Sequence, residues 1–342
     1  MLETSMSRMS LSTFGDLDDS GLVAPEPMGT DDDDEALRRH ALEQDLDERG
    51  IFASFDPTIG RASADYGDKE GPFNVAAIPP SEIKQFLLSP APKGPGMIEC
   101  RIIRERTGLN KFFPKYTLET DAGTFLMCAK KQTKNKTSNY AVSMSQVDGE
   151  GKEGESCLGK LRSNFSGLEF SAYGSGLNPK KIDQSMSQSH AIQLARQEFV
   201  AVQYSSSLWG HKPRGPRKMS CVIPRVQPSG ERLACRTLNP EAEGLLPMVK
   251  SGNGANAIDV YCNKPPKWNE QLGAFVLNFN KRVTQASVKN FQLTTMEDPD
   301  TVYLQFGRVD KDVFNMDFRF PFSPFQAFAV CLSSFDYKLC CE

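Results

Sequence analysis

The sequence predicts an all-β protein, an antiparallel barrel or sandwich, with one buried helix near its C-terminal end. The first observation behind this reading is the texture from about Ile83 onward, where short runs rich in β-branched and aromatic residues alternate with turn residues. About ten such runs follow one another with little helical pattern between them, which is the signature of a large antiparallel sheet. The second is the stretch from Pro324, where Phe325, Phe328, Ala329, Leu332, Phe335 and Leu339 recur at three- and four-residue steps while Ala327, Val330 and Cys331 make the other faces apolar. A helix that is apolar nearly all round is a buried helix, and Pro324 suits its first turn. The third is overall composition: 39% apolar side chains and 26 glycines in 342 residues are enough for a sizeable core.

Taken in order along the chain, residues 1–33 show no apolar period and read as disordered. Asp33, Asp34 and Glu35 then lead into Ala36, Leu37, Ala41, Leu42 and Leu46, with Gly50 just beyond. Acids at the start and a glycine past the end predict a short amphipathic helix at about 34–48. Residues 50–80 are rich in Gly, Pro and Ala and read as a linker. The chain therefore divides into a leader, 1–80, and a barrel domain, 81–342. Strand candidates in that domain are Gly123–Cys128, Tyr140–Ser145, Cys157–Asn164, Leu168–Tyr173, Glu198–Tyr204, Met219–Val226, Ala257–Cys262, Ala274–Asn280, Val302–Phe306 and Val313–Phe320. The apolar part of the terminal helix, Phe325 to Leu332, is too short to span a bilayer.

The formal net charge of −3 conceals a division. Residues 1–80 hold 18 acidic against six basic side chains, a net −12, so the barrel domain carries +9. Its basic residues cluster: Lys130, Lys131, Lys134 and Lys136; Lys160 and Arg162; Lys180 and Lys181; Lys212, Arg214, Arg217 and Lys218. A strand through Cys157–Asn164 puts Lys160 and Arg162 on one face and Leu161 on the other. Arginine can grip a phosphate with two parallel hydrogen bonds while lysine adds a mobile point charge. Pattern alone does not distinguish such a clamp from a solvated charged face.

Catalysis finds little support. The histidines His40, His190 and His211 are far apart, and no H-E-x-x-H, G-x-S-x-G or P-loop pattern occurs. Nine cysteines, an odd number without a C-x-x-C pair, read as reduced core thiols with neither disulfide nor metal spacing. No enzyme activity, cofactor or metal is expected. The first 30 residues lack a signal peptide, so a cytosolic or nuclear location is expected and the Asn135-Lys-Thr sequon is expected to stay unmodified.

Several segments carry a specific resemblance. Phe279-Asn-Lys-Arg-Val-Thr-Gln-Ala-Ser-Val-Lys-Asn-Phe-Gln292, Gln305-Phe-Gly-Arg-Val309 and Ala327-Phe-Ala-Val-Cys-Leu-Ser-Ser-Phe-Asp-Tyr-Lys-Leu-Cys-Cys-Glu342 resemble signature segments of the tubby family. Ser89–Gly94, Thr137–Tyr140, Gly159–Asn164 and Gly215–Met219 support it, over about residues 84–342. Lys281 departs from the family in standing where glycine is usual. The resemblance implies a closed antiparallel 12-stranded β-barrel around a central apolar C-terminal helix. It also implies binding of phosphatidylinositol 4,5-bisphosphate through Lys160 and Arg162, with Asn139 and Arg196 as further contacts. The implied protein is a monomeric, reversibly membrane-associated adaptor on the inner face of the plasma membrane, with the cilium or nucleus as further locations. Membrane-protein cargo and intraflagellar transport complex A are the implied partners, the latter through the helix at 34–48. The rival reading is a DNA-binding transcriptional regulator released from the membrane, although no recognition helix or zinc module is evident.

Overall fold

A computed structural model describes residues 73–336, apart from 95, 133–135, 147–153, 184, 206–217, 266, 270–273 and 288. The expected helix at 34–48, the rest of residues 1–72, Lys134, Lys212, Arg214, Arg217 and residues 337–342 lie outside the described residues. The strands are β1 Ile98–Glu105, β2 Lys115–Thr120, β3 Phe125–Lys131, β4 Asn139–Ser143, β5 Cys157–Ser163, β6 Glu169–Tyr173, β7 Glu198–Tyr204, β8 Met219–Pro224, β9 Ile258–Asn263, β10 Lys267–Asn269, β11 Ala274–Val276, β12 Phe291–Thr294, β13 Leu304–Asp310 and β14 Val313–Phe318. The helices are α1 Ile83–Leu88, α2 Gln188–Leu194, α3 Pro240–Glu243, α4 Leu245–Ser251 and α5 Pro324–Phe335.

Twelve of these strands close into one antiparallel barrel in the order β1-β14-β13-β12-β9-β8-β7-β6-β5-β4-β3-β2. The seam joins the first strand to the last, with Ile98 opposite Phe318 and Ile103 opposite Val313. Alternation sets the two faces of the wall. Along β1, Ile98, Cys100 and Ile102 are buried inward while Glu99, Arg101 and Ile103 face out, and β2 follows the same rule with Tyr116 and Leu118 inside. The run Ala274–Asn280 does not join this wall. Its first three residues form β11, which pairs with β10 in a separate two-stranded sheet. Asn280 and Lys281 then adopt left-handed backbone, with φ of 52° and 63°, and an extended chain cannot continue through them.

Every residue of α5 is buried, and it runs through the barrel lumen. Twelve strands enclose more space than their own inward side chains can fill, and the helix supplies the missing volume. Phe325 meets Phe199 edge to face at 5.4 Å, and Phe335 packs among Tyr116, Phe306 and Phe314. The polar groups of so enclosed a helix need partners inside the protein. Ser323 Oγ accepts from Gln326 N at 3.2 Å and Ser323 N donates to Gln326 Oε1 at 3.0 Å, a reciprocal cap. The Gln326 amide also donates to Phe199 O at 2.6 Å, Tyr204 Oη pairs with Ser333 Oγ at 2.8 Å, and Lys131 Nζ reaches Asp336 at 2.7 Å. No helix among the described residues is long and apolar enough to cross a membrane. Phe73 and Val75, on the leader side of the expected boundary at residue 80, pack against this core.

The segment after Phe279 is strapped to the outside of β13, β14 and β1. Arg282 reaches Asp317 through two hydrogen bonds of 2.6 and 2.9 Å and Asp121 through two of 2.8 and 3.2 Å. Gln305 Nε2 donates to the same Asp317 at 2.6 Å. Val283 sits where Gly307 has no side chain; a Cβ there would come within 2.2 Å of the valine. The left-handed turn at Asn280 and Lys281 aims Arg282 at its carboxylates.

Two stability predictions follow from this strap. Arg282→Met strands the buried Asp317 carboxylate and is expected to lower unfolding free energy by about 3–5 kcal/mol, read as a lower urea midpoint; an unchanged midpoint would show that the strap is ornamental. Lys281→Gly removes left-handed strain and is expected to raise stability by up to about 1 kcal/mol, read as a higher melting temperature, and a lower one contradicts it.

Candidate anion-binding site

The site lies on the outer wall across β4, β5 and β6 and at the entry to β7. Leu161 is 1% exposed inside the barrel, and its neighbours Lys160 and Arg162 therefore point outward, as the strand period predicts. Register then decides what stands beside them. Asn139 is directly opposite Arg162 and Ala141 opposite Lys160 on the β4 side. On the β6 side, Ser171 is opposite Arg162 and Tyr173 opposite Lys160. Arg196 comes from the loop before β7, its guanidinium stacked on the Tyr173 ring at 3.8 Å. Asn139, Lys160, Arg162 and Arg196 are thus brought together although they span 57 positions of sequence.

Positive charge is gathered at this place on the wall. Burial lowers the Arg196 pKa, Tyr173 opposes that shift, and the nearby positive charge of Arg162 lowers it further. Two guanidinium groups that repel one another are held together by their surroundings. Nε of Arg162, Nε of Arg196 and Oδ1 of Asn139 are buried and make no hydrogen bond within the protein. The two Nε–H groups are unsatisfied donors and Asn139 Oδ1 is an unsatisfied acceptor, and buried polar groups without partners are rare in native structures.

A supporting layer lies beneath. Burial raises the Glu198 carboxyl pKa, while hydrogen bonds from Leu245 N and the Ser171 side chain and the charge of Arg196 pull it back. The Leu245 N–H, at 3.0 Å, ties this carboxyl to the start of α4. Tyr173, Ser171 and Glu198 escape a reading of sequence alone. Tyr173 has the outward parity of its strand, but only the β5–β6 register reveals that it faces Lys160.

His190 is exposed on α2, and the other two histidines lie outside the described residues. The seven described cysteines are free, and burial pushes the thiols of Cys221, Cys235 and Cys331 up, that of Cys235 to about 12. Such thiols stay protonated and unreactive at neutral pH. Among the described residues no three His, Cys, Asp or Glu side chains are grouped to hold a metal ion.

A closed twelve-stranded antiparallel barrel threaded by its own helix is one particular architecture. The Tub family profile matches residues 87–337, and the chain belongs to that family. It is 43% identical over 265 residues to tubby-related protein 3 of Mus musculus, covering 76% of this chain and 55% of that protein. Tubby-related protein 1 of Homo sapiens is 40% identical over 273 residues, 78% of this chain and 48% of that protein. Protein king tubby of Drosophila yakuba is 37% identical over 327 residues, 89% of this chain and 70% of that protein. The chain thus spans about half the length of the tubby-related proteins it matches.

Gly159 tests how tightly the clamp strand is seated. A Cβ at this inward position would lie 2.1 Å from Tyr173 O and 2.8 Å from the Phe325 ring, caught between β6 and α5. Gly159→Ala is expected to cost about 1–3 kcal/mol in denaturant titration; a variant as stable as wild type would mean that β5 and β6 part freely.

Proposed function

We propose that this protein is a non-catalytic phosphoinositide-binding adaptor that associates reversibly with membranes and recognises phosphatidylinositol 4,5-bisphosphate. The observation that carries the reading is the convergence of Lys160, Arg162, Asn139 and Arg196, with unsatisfied Nε donors on both arginines. Adjacent ring phosphates match two guanidinium forks and an ammonium, and hydrogen bonds to charged groups contribute about 1.5–3 kcal/mol each. Asn139 offers its amide to a ring hydroxyl or phosphate. Other exposed cations add roughly 1 kcal/mol for each one near an anionic leaflet. Membership of the family supports the same function.

On this reading the protein works on the inner face of the plasma membrane and leaves when the lipid is hydrolysed. It escorts membrane-protein cargo, and where cilia exist the leader segment at 34–48 would link that cargo to intraflagellar transport complex A. The alternative, a DNA-binding regulator, would draw on the same positive charge. It has no recognition helix at this site among the described residues.

The test is vesicle binding over a panel of phosphoinositides, with wild type compared to the Lys160→Ala/Arg162→Ala double variant and with duplex DNA as competitor. Wild type is expected to prefer vesicles containing phosphatidylinositol 4,5-bisphosphate, and the double variant to bind at least about 100-fold more weakly. Diffuse polyanion attraction would instead survive in part, fall steeply with salt and yield to DNA. No binding by wild type to any phosphoinositide sinks the proposal.

A further inference from the structure

The two ends of the barrel differ in chemistry. Lys115 pairs with Lys130, Asn139 with Arg162, and Arg104 N donates to Asp312 O, so the loops 106–114, 164–168 and 310–312 and residues 136–138 lie at one end. Phe112 and Phe165 stand in two of these loops, 80% and 83% exposed. Lys111, Lys136 and Lys311 are exposed at this end, where Asp310 is an exposed acid, and Lys111 Nζ lies 5.9 Å from the Phe112 ring. The opposite end carries the loop 295–303, where exposed Met296 is followed by exposed Glu297, Asp298 and Asp300. Exposed Glu241 and Glu243 belong to that end as well, and Lys180 there is paired with Glu241 at 3.0 Å.

Phe165 is held in water by a built turn. Asn164 Oδ1 accepts from Ser166 Oγ at 3.0 Å and from the backbone N–H groups of Leu168 and Glu169, each at 3.2 Å. Asn164 N donates to Glu169 O at 2.8 Å, closing the hairpin. Phe165 lies three positions beyond Arg162, a reach of at most about 10 Å. A phosphate gripped by Arg162 therefore brings the lipid surface to within reach of this ring.

We infer that the end bearing Phe112 and Phe165 is the face laid against the bilayer, with both rings inserted into its interfacial layer while the wall clamp holds the headgroup. The exposed lysines beside them meet anionic lipid, and the acidic end around Met296 points away from it. A single exposed apolar residue is ordinary; two on rigid or cation-flanked loops at the cationic end, adjoining an anion site, fit a bilayer. This inference rests on the phosphoinositide reading and adds an orientation and a second source of affinity to it.

The experiment compares wild type, Phe112→Ser, Phe165→Ser and the double variant for binding to vesicles containing phosphatidylinositol 4,5-bisphosphate and to soluble inositol 1,4,5-trisphosphate. Each serine is expected to weaken vesicle binding about tenfold and to leave affinity for the soluble headgroup unchanged. In parallel, Phe165→Trp and Met296→Trp are read as difference emission against the two native tryptophans. Emission from Phe165→Trp should shift to the blue on vesicles and be quenched by brominated lipid, and emission from Met296→Trp should not move. If serine variants bind vesicles as wild type does, or if Phe165→Trp shows no shift, the insertion is overturned while the headgroup site stands. If wild type binds neither vesicles nor soluble headgroup, both readings fall.

Discussion

The constraint on which the rest of this molecule depends is the volume inside a twelve-stranded wall. Left to its own side chains such a barrel would surround a void, and a void forfeits the dispersion contacts that hold a core together. The α5 helix resolves this, but enclosure imposes a condition of its own: each polar group on the helix must be satisfied from within. Ser323, Gln326, Ser333 and Ser334 meet that condition through partners on the helix or the wall, and Lys131 reaches Asp336 Oδ1. The outside of the wall still packs where the strap and α4 cover it, and elsewhere it is free of that duty. Outward residues on β4, β5 and β6 are then available for recognition.

The clamp is a product of cross-strand register. Lys160 and Arg162 on an isolated strand would be two tethered charges with free rotamers. Between Asn139 and Ser171, and with Tyr173 beneath Arg196, the groups have neighbours that fix where they stand. Holding donors apart before a ligand arrives reduces the ordering cost of binding, which is the physical content of preorganisation.

The division between what was and was not legible follows the range of the interactions involved. Runs of β-branched and aromatic residues between turns made β6, β7, β8 and β14 readable, and the all-round apolar pattern from Pro324 marked α5. The shared outward parity of Lys160 and Arg162 was equally local. Resemblance to the tubby family supplied the strand number, the closure and the roles of Asn139 and Arg196. Contacts set by distant parts of the chain left no local trace. Arg282 meets Asp317 35 positions away and Asp121 161 positions away, and no window of sequence pairs them. Ala274–Asn280 has the composition of a wall strand, and only the left-handed residues at 280 and 281 and the absence of a wall partner place β11 elsewhere. Tyr173, Ser171 and Glu198 became visible as a platform once register was known.

The seam between β1 and β14 also sets a timetable. Ile98 finds its partner only when Phe318 exists, and the helix that fills the lumen follows that partner in the chain. On a ribosome the first eleven wall strands must therefore wait as an open, curling sheet with an unfilled concave face and two unpaired edges. Such contacts between remote parts of a chain form slowly, and exposed strand edges invite association with other chains. Closure of the wall and filling of the lumen therefore come only after every other wall strand has been made.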